Sequence, residues 1–313
     1  MISSIESQLA SAVLMIRPTR FESNPLTAES NRFQSSQNVS PEQLQRSAAN
    51  EFEAIADALD AKGVTVIRID DTAEPHTPDS IFPNNWVSFH GDGTVVLYPM
   101  EAANRRPERR RDIIDSLSRD YGFQVSEIID LSSHEENGHY LEGTGSMVLD
   151  RVNRTAYACL SSRTHLDVLG EFAQRMDYEI MAFDAVDRNG TAIYHTNVLM
   201  NVGESLAVIC ADAIPRAEQR DAVLQRLAET RHEIVTLTYE QLDSFAGNML
   251  ELQSASGERL TVMSSRARAS LTDDQVRQIE QHSTIVDTYI NTIEDSAGGS
   301  ARCMLAEIHL PQS

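Results

Sequence analysis

The stretch "HTNVLMNVGESLAVICADAIPRAEQRDAVLQRLAE" (residues 195–229) contains most of the unit from which the fold is built. Two apolar segments, VLMNV and LAVIC, flank the turn-forming tripeptide GES, a pattern typical of a β-hairpin. Pro215 then stands where a helix can begin, and helix-forming residues follow it. A hairpin, a helix and a further strand make a ββαβ unit, which the sequence repeats about every 55 residues.

Three other segments show the same order of elements. Their hairpins read VSF-HGDG-TVVLY, SMVL-DRVN-RTAYACL and LELQ-SASGE-RLTVM. Helix starts are predicted at Ser40–Pro41, Pro107, Thr164, Pro215 and Thr272. A fifth unit would combine residues 301–310 with residues 12–18 from the other end of the chain. The repeat predicts one α/β domain over residues 1–313, in which five ββαβ units form a ring around a central cavity.

Composition excludes several classes of protein. The 313 residues carry a formal net charge of −21, which argues against nucleic acid as a partner because phosphate binding needs clustered Lys and Arg. The apolar run at residues 12–16 is too short to span a bilayer, and no basic segment precedes it as in a signal peptide. Three widely spaced cysteines predict no disulfide framework, and we expect a cytoplasmic protein that acts on a small molecule. Homo-oligomerisation stays open.

An unusual polar residue stands at the start of each predicted hairpin. The five residues are Asn85, Glu142, His195, Asn248 and Cys303. Their successive separations are 57, 53, 53 and 55 residues. Because equivalent positions of a ring of repeats gather around its axis, the spacing predicts that these side chains line one cavity.

This set of side chains has a chemical meaning. A Cys thiolate is a strong nucleophile, His is the usual proton shuttle near neutral pH, and a carboxylate can orient the His. Each residue alone has an ordinary structural explanation, and core packing explains Cys159 and Cys210 better than reactivity does. The segment HEENGH (134–139) lacks the spacing of a zinc protease, and no glycine-rich nucleotide motif occurs. We therefore expect neither a metal nor an organic cofactor.

The order and spacing of these residues resemble the guanidino-group-modifying superfamily, also called pentein. The ending GGSARCM, the Cys, His and Glu residues, and the element order carry the resemblance over nearly the whole chain. The N-terminal MIRPTRFESNPLTAESNRFQ and FPNNW are most similar to citrulline-utilisation hydrolases. The resemblance implies a five-bladed α/β propeller, with Cys303 as nucleophile, His195 as acid and base, and Glu142 holding substrate nitrogens.

The chain departs from the arginine deiminases at two positions. Deiminases have Asp where Asn85 stands, and commonly a second Asp where Asn197 stands. Losing two carboxylates disfavours a guanidinium cation and suits a neutral ureido group, to which an amide can both donate and accept hydrogen bonds. Asn85 and Asn197 are therefore predicted to bind a ureido group. Asn24 is a further substrate contact, and Asn248 belongs to the same cavity.

The resemblance and the two asparagines together predict a citrulline hydrolase that forms ornithine, CO2 and ammonia through a covalent thiocarbamoyl intermediate. Arg17 and Arg302 are candidates to hold the substrate α-carboxylate. An arginine dihydrolase and an arginine deiminase are the alternatives. A non-catalytic binding protein, known in the same superfamily, is a remote alternative. The intact Cys, His and Glu argue against it.

Overall fold

A computed structural model describes residues 6–28, 31–35 and 39–312. The predicted single domain and the N-terminal motif therefore include a few residues outside the described part, among them Glu29 and Ser30. The strands of the described residues, in chain order, are Ala12–Arg17 (β1), Thr65–Asp70 (β2), Val87–Phe89 (β3), Thr94–Leu97 (β4), Glu127–Asp130 (β5), Val148–Asp150 (β6), Thr155–Cys159 (β7), Glu179–Phe183 (β8), Met200–Val202 (β9), Leu206–Ile209 (β10), Glu233–Thr236 (β11), Leu250–Gln253 (β12), Arg259–Ser264 (β13), Thr284–Thr288 (β14) and Ala306–Glu307 (β15).

The strands of the described residues form five small sheets of three strands each. In four of these sheets the middle strand pairs antiparallel with its hairpin partner and parallel with the strand that follows the helix. In the sheet β9-β10-β11, for example, Val208 lies opposite Asn201 on one side and Val235 on the other. The predicted ββαβ unit is therefore confirmed.

The fifth sheet joins the two ends of the chain. Strand β15 pairs antiparallel with β1, and β1 pairs parallel with β2. This is the unit expected from residues 301–310 and 12–18. Closing it brings the GGSARCM segment next to the N-terminal strand.

The helices of the described residues are Pro41–Ala61 (α1), Arg111–Tyr121 (α2), Gly143–Ser146 (α3), Leu166–Met176 (α4), Ala217–Glu229 (α5), Tyr239–Asp243 (α6), Ser265–Ser270 (α7), Asp273–Glu280 (α8) and Asn291–Ala297 (α9). Helices α1 and α8 begin where expected, because Ser40 and Thr272 form capping boxes with the glutamines three residues later.

Three other helices begin later than predicted. Helix α4 begins two residues after Thr164, with His165 as its cap, and α5 begins at Ala217 rather than Pro215. Pro107 lies inside a separate 3-10 helix, Ala103–Glu108, and α2 begins only at Arg111. The reason is tertiary: Arg105 and Glu108 of this 3-10 helix turn inward and pair in the interior.

The apolar core lies between the sheets and the helices that cover them. Strands such as β4 and β10 are buried along their whole length, and the apolar faces of α4 and α1 pack against the sheets. Over the described part of the chain, no helix combines the length and the apolar character needed to cross a membrane. Polar residues lie at the inner ends of the sheets and form the site described next.

Candidate active site

A short helical turn precedes the first strand of each hairpin and presents a polar residue inward. Asn85 ends the turn Pro83–Asn85, Glu142 stands before α3, and His195 stands before the turn Thr196–Val198. Cys303 lies within the turn Ala301–Met304, and Asn248 follows a turn after α6. All five side chains are buried. Asn85, His195 and Cys303 line one cleft, and Glu142 and Asn248 lie directly behind it, in contact with His195 and Cys303.

His195 and Glu142 form a buried pair. Nε2 of His195 lies 2.9 Å from Oε2 of Glu142, which fixes the proton on Nε2 and leaves Nδ1 as an acceptor. His195 and Asn85 both pack closely against Gly145. A larger residue would not fit there, because a Cβ would lie only 2.8 Å from Nδ1 of His195 and 2.4 Å from Nδ2 of Asn85. The pair can therefore orient a neutral imidazole toward a ligand in the cleft.

The charges around this pair set its protonation. Burial disfavours ionisation of Glu142, but Arg163 and the hydrogen bond from His195 outweigh it, so the pKa of Glu142 stays below its usual range. Burial also lowers the pKa of His195 to about 4, in spite of the carboxylate beside it. His195 is therefore neutral at pH 7 and available as a base.

This protonation state predicts how stability depends on pH. Below pH 6.5 the unfolded chain takes up a proton at His195 that the folded protein refuses down to about pH 4, so stability falls as pH falls. Between pH 7.5 and 5.5 this one group should remove about 1.4 kcal/mol from the free energy of unfolding. Urea denaturation of wild type and His195→Asn at both pH values measures it, since the variant should lack this part of the loss. Parallel losses in the two proteins would show that His195 is protonated in the fold.

The sulfur of Cys303 faces two amide side chains. Nδ2 of Asn248 lies 3.3 Å from Sγ, and Nδ2 of Asn197 lies 3.4 Å from it. The Asn248 amide is held in this orientation because its Oδ1 accepts a hydrogen bond from the backbone N–H of Arg302. Two side-chain N–H groups are therefore directed at the Cys303 sulfur.

The other two cysteines lie in a different environment. Cys159 and Cys210 are fully buried, and burial raises their thiol pKa values to about 12 and about 11. Neither lines the cleft, and both pack in the apolar core as the sequence predicted. Cys303 is therefore the cysteine with access to a ligand.

One wall of the cleft is formed by charged residues that the sequence reasoning missed. Arg105 donates from Nη1 to Oδ1 of Asn85 at 3.0 Å and forms two hydrogen bonds with Glu108. Arg163 lies 3.5 Å from Glu142, with its guanidinium over the ring of Tyr194. Both guanidinium groups are almost completely buried and line the cleft.

Asp79 was missed as well and brings a negative charge to the same wall. Its Oδ2 accepts a hydrogen bond from Asn24 at 2.7 Å, and within the described part of the chain its Oδ1 has no hydrogen-bond partner. Asn24 therefore lies behind Asp79 rather than against a ligand, because Asp79 lines the cleft and Asn24 does not. The direct contact of Asn24 with the substrate stays a prediction.

Arg17 and Arg302 do not reach the cleft. The Arg17 guanidinium pairs at the surface with Glu53 and Asp70. Arg302 turns away from Cys303 and pairs with Glu307 at 2.6 Å. This geometry gives no support to the prediction that they hold a substrate carboxylate, because neighbouring carboxylates hold both side chains outside the cleft.

A signal for the two missed arginines was present in the sequence. Arg105 follows Asn85 by 20 residues, and Arg163 follows Glu142 by 21. Both follow the second strand of their hairpins, β4 and β7, within ten residues. Spacing alone would not have been decisive, since Arg216, which follows His195 by 21 residues, is exposed and pairs with Asp184.

The sequence matches one protein family. The family is described as "N,N dimethylarginine dimethylhydrolase, eukaryotic", and the match covers residues 17–310. No curated protein is similar enough in sequence to count as a match.

Solved structures resemble the fold at low sequence identity. ArgZ in its apo form, an arginine dihydrolase from the ornithine-ammonia cycle in cyanobacteria, has a TM-score of 0.73 at 17% identity, over 96% of this chain and 41% of that one. A variant of the ArgZ N-terminal domain, covalently bonded to a reaction intermediate, has a TM-score of 0.70 at 18% identity over 96% and 99%. A dimethylarginine dimethylaminohydrolase variant in an adduct with S-methyl-L-thiocitrulline has a TM-score of 0.62 at 12% identity over 95% and 99%. The chain thus spans about two fifths of the length of whole ArgZ.

Proposed function

Since the chain belongs to the family of N,N-dimethylarginine dimethylhydrolases, within the guanidino-group-modifying superfamily, we propose that it hydrolyses the ureido C–N bonds of citrulline. The products are ornithine, CO2 and ammonia. The observation that carries this choice is the environment of the nucleophile: both side chains that contact the Cys303 sulfur are neutral amides, Asn197 and Asn248. A ureido carbon placed there meets N–H donors for its carbonyl oxygen, and neither side chain that hydrogen-bonds to the sulfur is a carboxylate.

The same geometry supports a closed five-bladed propeller. Residues from all five units lie in or directly against one cleft, as a ring around a common axis requires. We propose that residues 6–312 form this ring as one domain. The substrate then enters along the axis, with its reactive carbon at Cys303.

The first chemical step is attack of the Cys303 thiolate on the ureido carbon. A C–N bond breaks, and the departing nitrogen takes a proton that His195 received at Nδ1 from the nucleophile or the substrate. Glu142 holds Nε2 and stabilises the imidazolium that forms. A thiocarbamoyl group remains on Cys303, in keeping with the covalent intermediate described for the ArgZ domain.

The second step is hydrolysis of this thioester-like bond. Neutral His195 takes a proton from water, the hydroxide adds to the carbon, and the Cys303 sulfur leaves. The released carbamate decomposes to CO2 and an amine. One citrulline and one water thus yield one ornithine, one CO2 and one ammonia.

The α-carboxylate and the α-ammonium group of the substrate need protein groups of positive and of negative charge. Arg105 and Arg163 supply guanidinium groups for the α-carboxylate, in the role first assigned to Arg17 and Arg302. The unpaired Oδ1 of Asp79 can accept a hydrogen bond from the α-ammonium group. These residues favour a free amino acid over a simple urea.

A second candidate, arginine dihydrolysis, is favoured by Asp79. Its carboxylate lines the cleft, and within the described residues its Oδ1 has no hydrogen-bond partner, so a guanidinium is not excluded as strongly as the two asparagines alone suggest. A dihydrolase would remove ammonia from arginine twice, and its second reaction is the one proposed above. Deimination that stops at citrulline is the weaker form of this alternative.

Product analysis distinguishes these functions. We would supply citrulline, arginine and dimethylarginine to the purified protein and quantify ornithine, citrulline, ammonia and dimethylamine. The proposal expects ornithine and ammonia in equal amounts from citrulline, and little turnover of arginine. Equal rates of ornithine formation from arginine and citrulline would establish the dihydrolase. Dimethylamine release would identify a dimethylarginine hydrolase, and inertness toward all three would favour a binding protein.

Asn85→Asp tests the charge argument. The carboxylate loses the N–H donor and adds a negative charge near Glu142, so kcat/KM for citrulline should fall by about 10–100-fold while the ratio of arginine to citrulline turnover rises. Asn85→Ala is the matched neutral control and should lower both activities without changing that ratio. An unchanged ratio in Asn85→Asp would mean that Arg105, 3.0 Å from Oδ1, neutralises the new charge and that Asn85 does not set selectivity.

A further inference from the structure

Two histidines and an aspartate lie together on the surface, outside the cleft. The rings of His139 and His165 stack face to face, with centroids 3.6 Å apart and planes inclined by 9°. The carboxylate of Asp167 reaches the edge of both rings, with Oδ2 at 3.3 Å from Nδ1 of His139 and 3.8 Å from Nδ1 of His165. Among the residues that the structure describes, these three form the one group of potential metal ligands whose atoms all lie within 4.8 Å of one another.

From this arrangement we infer that His139, His165 and Asp167 form a binding site for a divalent transition metal of the Zn²⁺ type. Zn²⁺ binds imidazole nitrogens and carboxylate oxygens at about 2.0–2.2 Å, so two ligand atoms of a tetrahedral ion lie about 3.3–3.6 Å apart. The contact between Nδ1 of His139 and Oδ2 of Asp167 already has this length, and the His165 side chain reaches the ion by a rotation that breaks the face-to-face stacking of the two rings. Water completes the coordination.

The ligand set selects the class of ion. Two imidazoles with one carboxylate suit Zn²⁺, Ni²⁺, Cu²⁺ or Co²⁺, whereas Mg²⁺ and Ca²⁺ prefer oxygen ligands. The backbone N–H of Asp167 donates to Nδ1 of His165, so this nitrogen has the lone pair that a metal needs. A metal bound at Nδ1 of His165 replaces this helix-capping hydrogen bond, and the resulting loss of helix stability is modest.

The site is connected to the cleft by a short antiparallel ladder. The N–H of His165 donates to the carbonyl of Tyr140 at 2.8 Å, Leu141 pairs with Thr164, and the N–H of Glu142 donates to the carbonyl of Arg163 at 3.2 Å. His139 and His165 stand at the outer end of this ladder, and Glu142 and Arg163 stand at its inner end. An ion bound outside therefore ties together the two segments that position the carboxylate and the guanidinium of the cleft.

The test measures binding rather than activity, so it does not depend on the proposed function. Cys303→Ala is the background, because Cys303 and His195 could themselves bind zinc. At free Zn²⁺ about 100-fold above its dissociation constant, linkage should raise Tm by about 5 °C, and EDTA should reverse the shift. Calorimetry should give one Zn²⁺ per chain, and Mg²⁺ should have no effect. In the same background, Co²⁺ should give the visible absorption of a tetrahedral ion.

Adding His139→Ala or His165→Ala should abolish the Tm shift and the Co²⁺ spectrum. Both side chains are partly exposed, and the Tm of each variant in EDTA shows whether it is folded. His134→Ala is the matched control: His134 lies 2.7 Å from Glu171, outside the three ligands, and its loss should leave zinc binding intact. Zinc binding that survives in both His139→Ala and His165→Ala, or that disappears in His134→Ala, would overturn the assignment, as would no stoichiometric binding to the Cys303→Ala protein.

Discussion

Cys303→Ala should abolish turnover, with kcat lower by at least about 10³-fold and the protein still folded. Cys303 is the cysteine that lines the cleft, and without its sulfur no covalent intermediate can form. The measurement is ornithine release from citrulline, together with circular dichroism of the variant. Because alanine leaves the Asn248 and Arg302 contact in place, substrate binding should persist while chemistry stops.

Cys210→Ala is the matched control for this variant. Cys210 is buried in the core, and its thiol pKa is raised to about 11, so it cannot serve as a nucleophile near neutral pH. Its removal should cost some stability and leave kcat close to that of wild type. Acid-quenched wild-type enzyme should carry a citrulline-derived adduct on the peptide that contains Cys303: a carbamoyl group where ornithine leaves first, or a group larger by the ornithine chain where ammonia leaves first. Turnover in Cys303→Ala above a few per cent of wild type, or an adduct on another residue, would contradict the nucleophile assignment.

Arg105→Ala should cause the largest loss of stability among the cleft residues, about 3–5 kcal/mol in the free energy of unfolding. The Arg105 guanidinium is 2% exposed and pairs with Glu108, while Asp79 lies nearby at 3.7 Å. Removing it leaves buried carboxylates without their cation. Urea denaturation at pH 7 measures the loss.

Arg106→Ala is the neighbouring control. Arg106 is one third exposed and forms an ion pair with Glu135 at 3.2 Å, so its removal should cost no more than about 1 kcal/mol. Equal losses in the two variants would mean that Arg105 is not a buried structural charge. Arg105→Ala should also raise KM if the residue holds the substrate carboxylate, an effect that Arg106→Ala lacks.

Local signals predicted much of the architecture. The capping boxes at Ser40 and Thr272 involve residues three positions apart, so the sequence shows them directly. Alternating apolar segments around turn residues predicted the hairpins, because a strand with its turn is specified by neighbouring residues. The 3-10 helix around Pro107 was not predictable in this way, since the pairing of Arg105 with Glu108 and Asn85 across the interior determines its shape.

The candidate site shows the same division. Repetition placed Asn85, Glu142, His195, Asn248 and Cys303 at one end of the units, and in the structure three of them line one cleft while Glu142 and Asn248 contact two of those three from behind. The repetition in the sequence could not indicate which way a long side chain points. Arg302 adjoins Cys303 in the chain, yet its guanidinium pairs with Glu307 in the opposite direction.

By itself, the sequence determined the repeated ββαβ unit, the five equally spaced polar residues and the three residues suited to covalent hydrolysis, because these depend on local pattern and on side-chain chemistry. Only the tertiary structure decided which charges surround the nucleophile. Asp79, Arg105 and Arg163 reach the cleft because burying one charge requires its partners to be buried with it. That pairing joins residues distant in the chain, and no local sequence pattern specifies it.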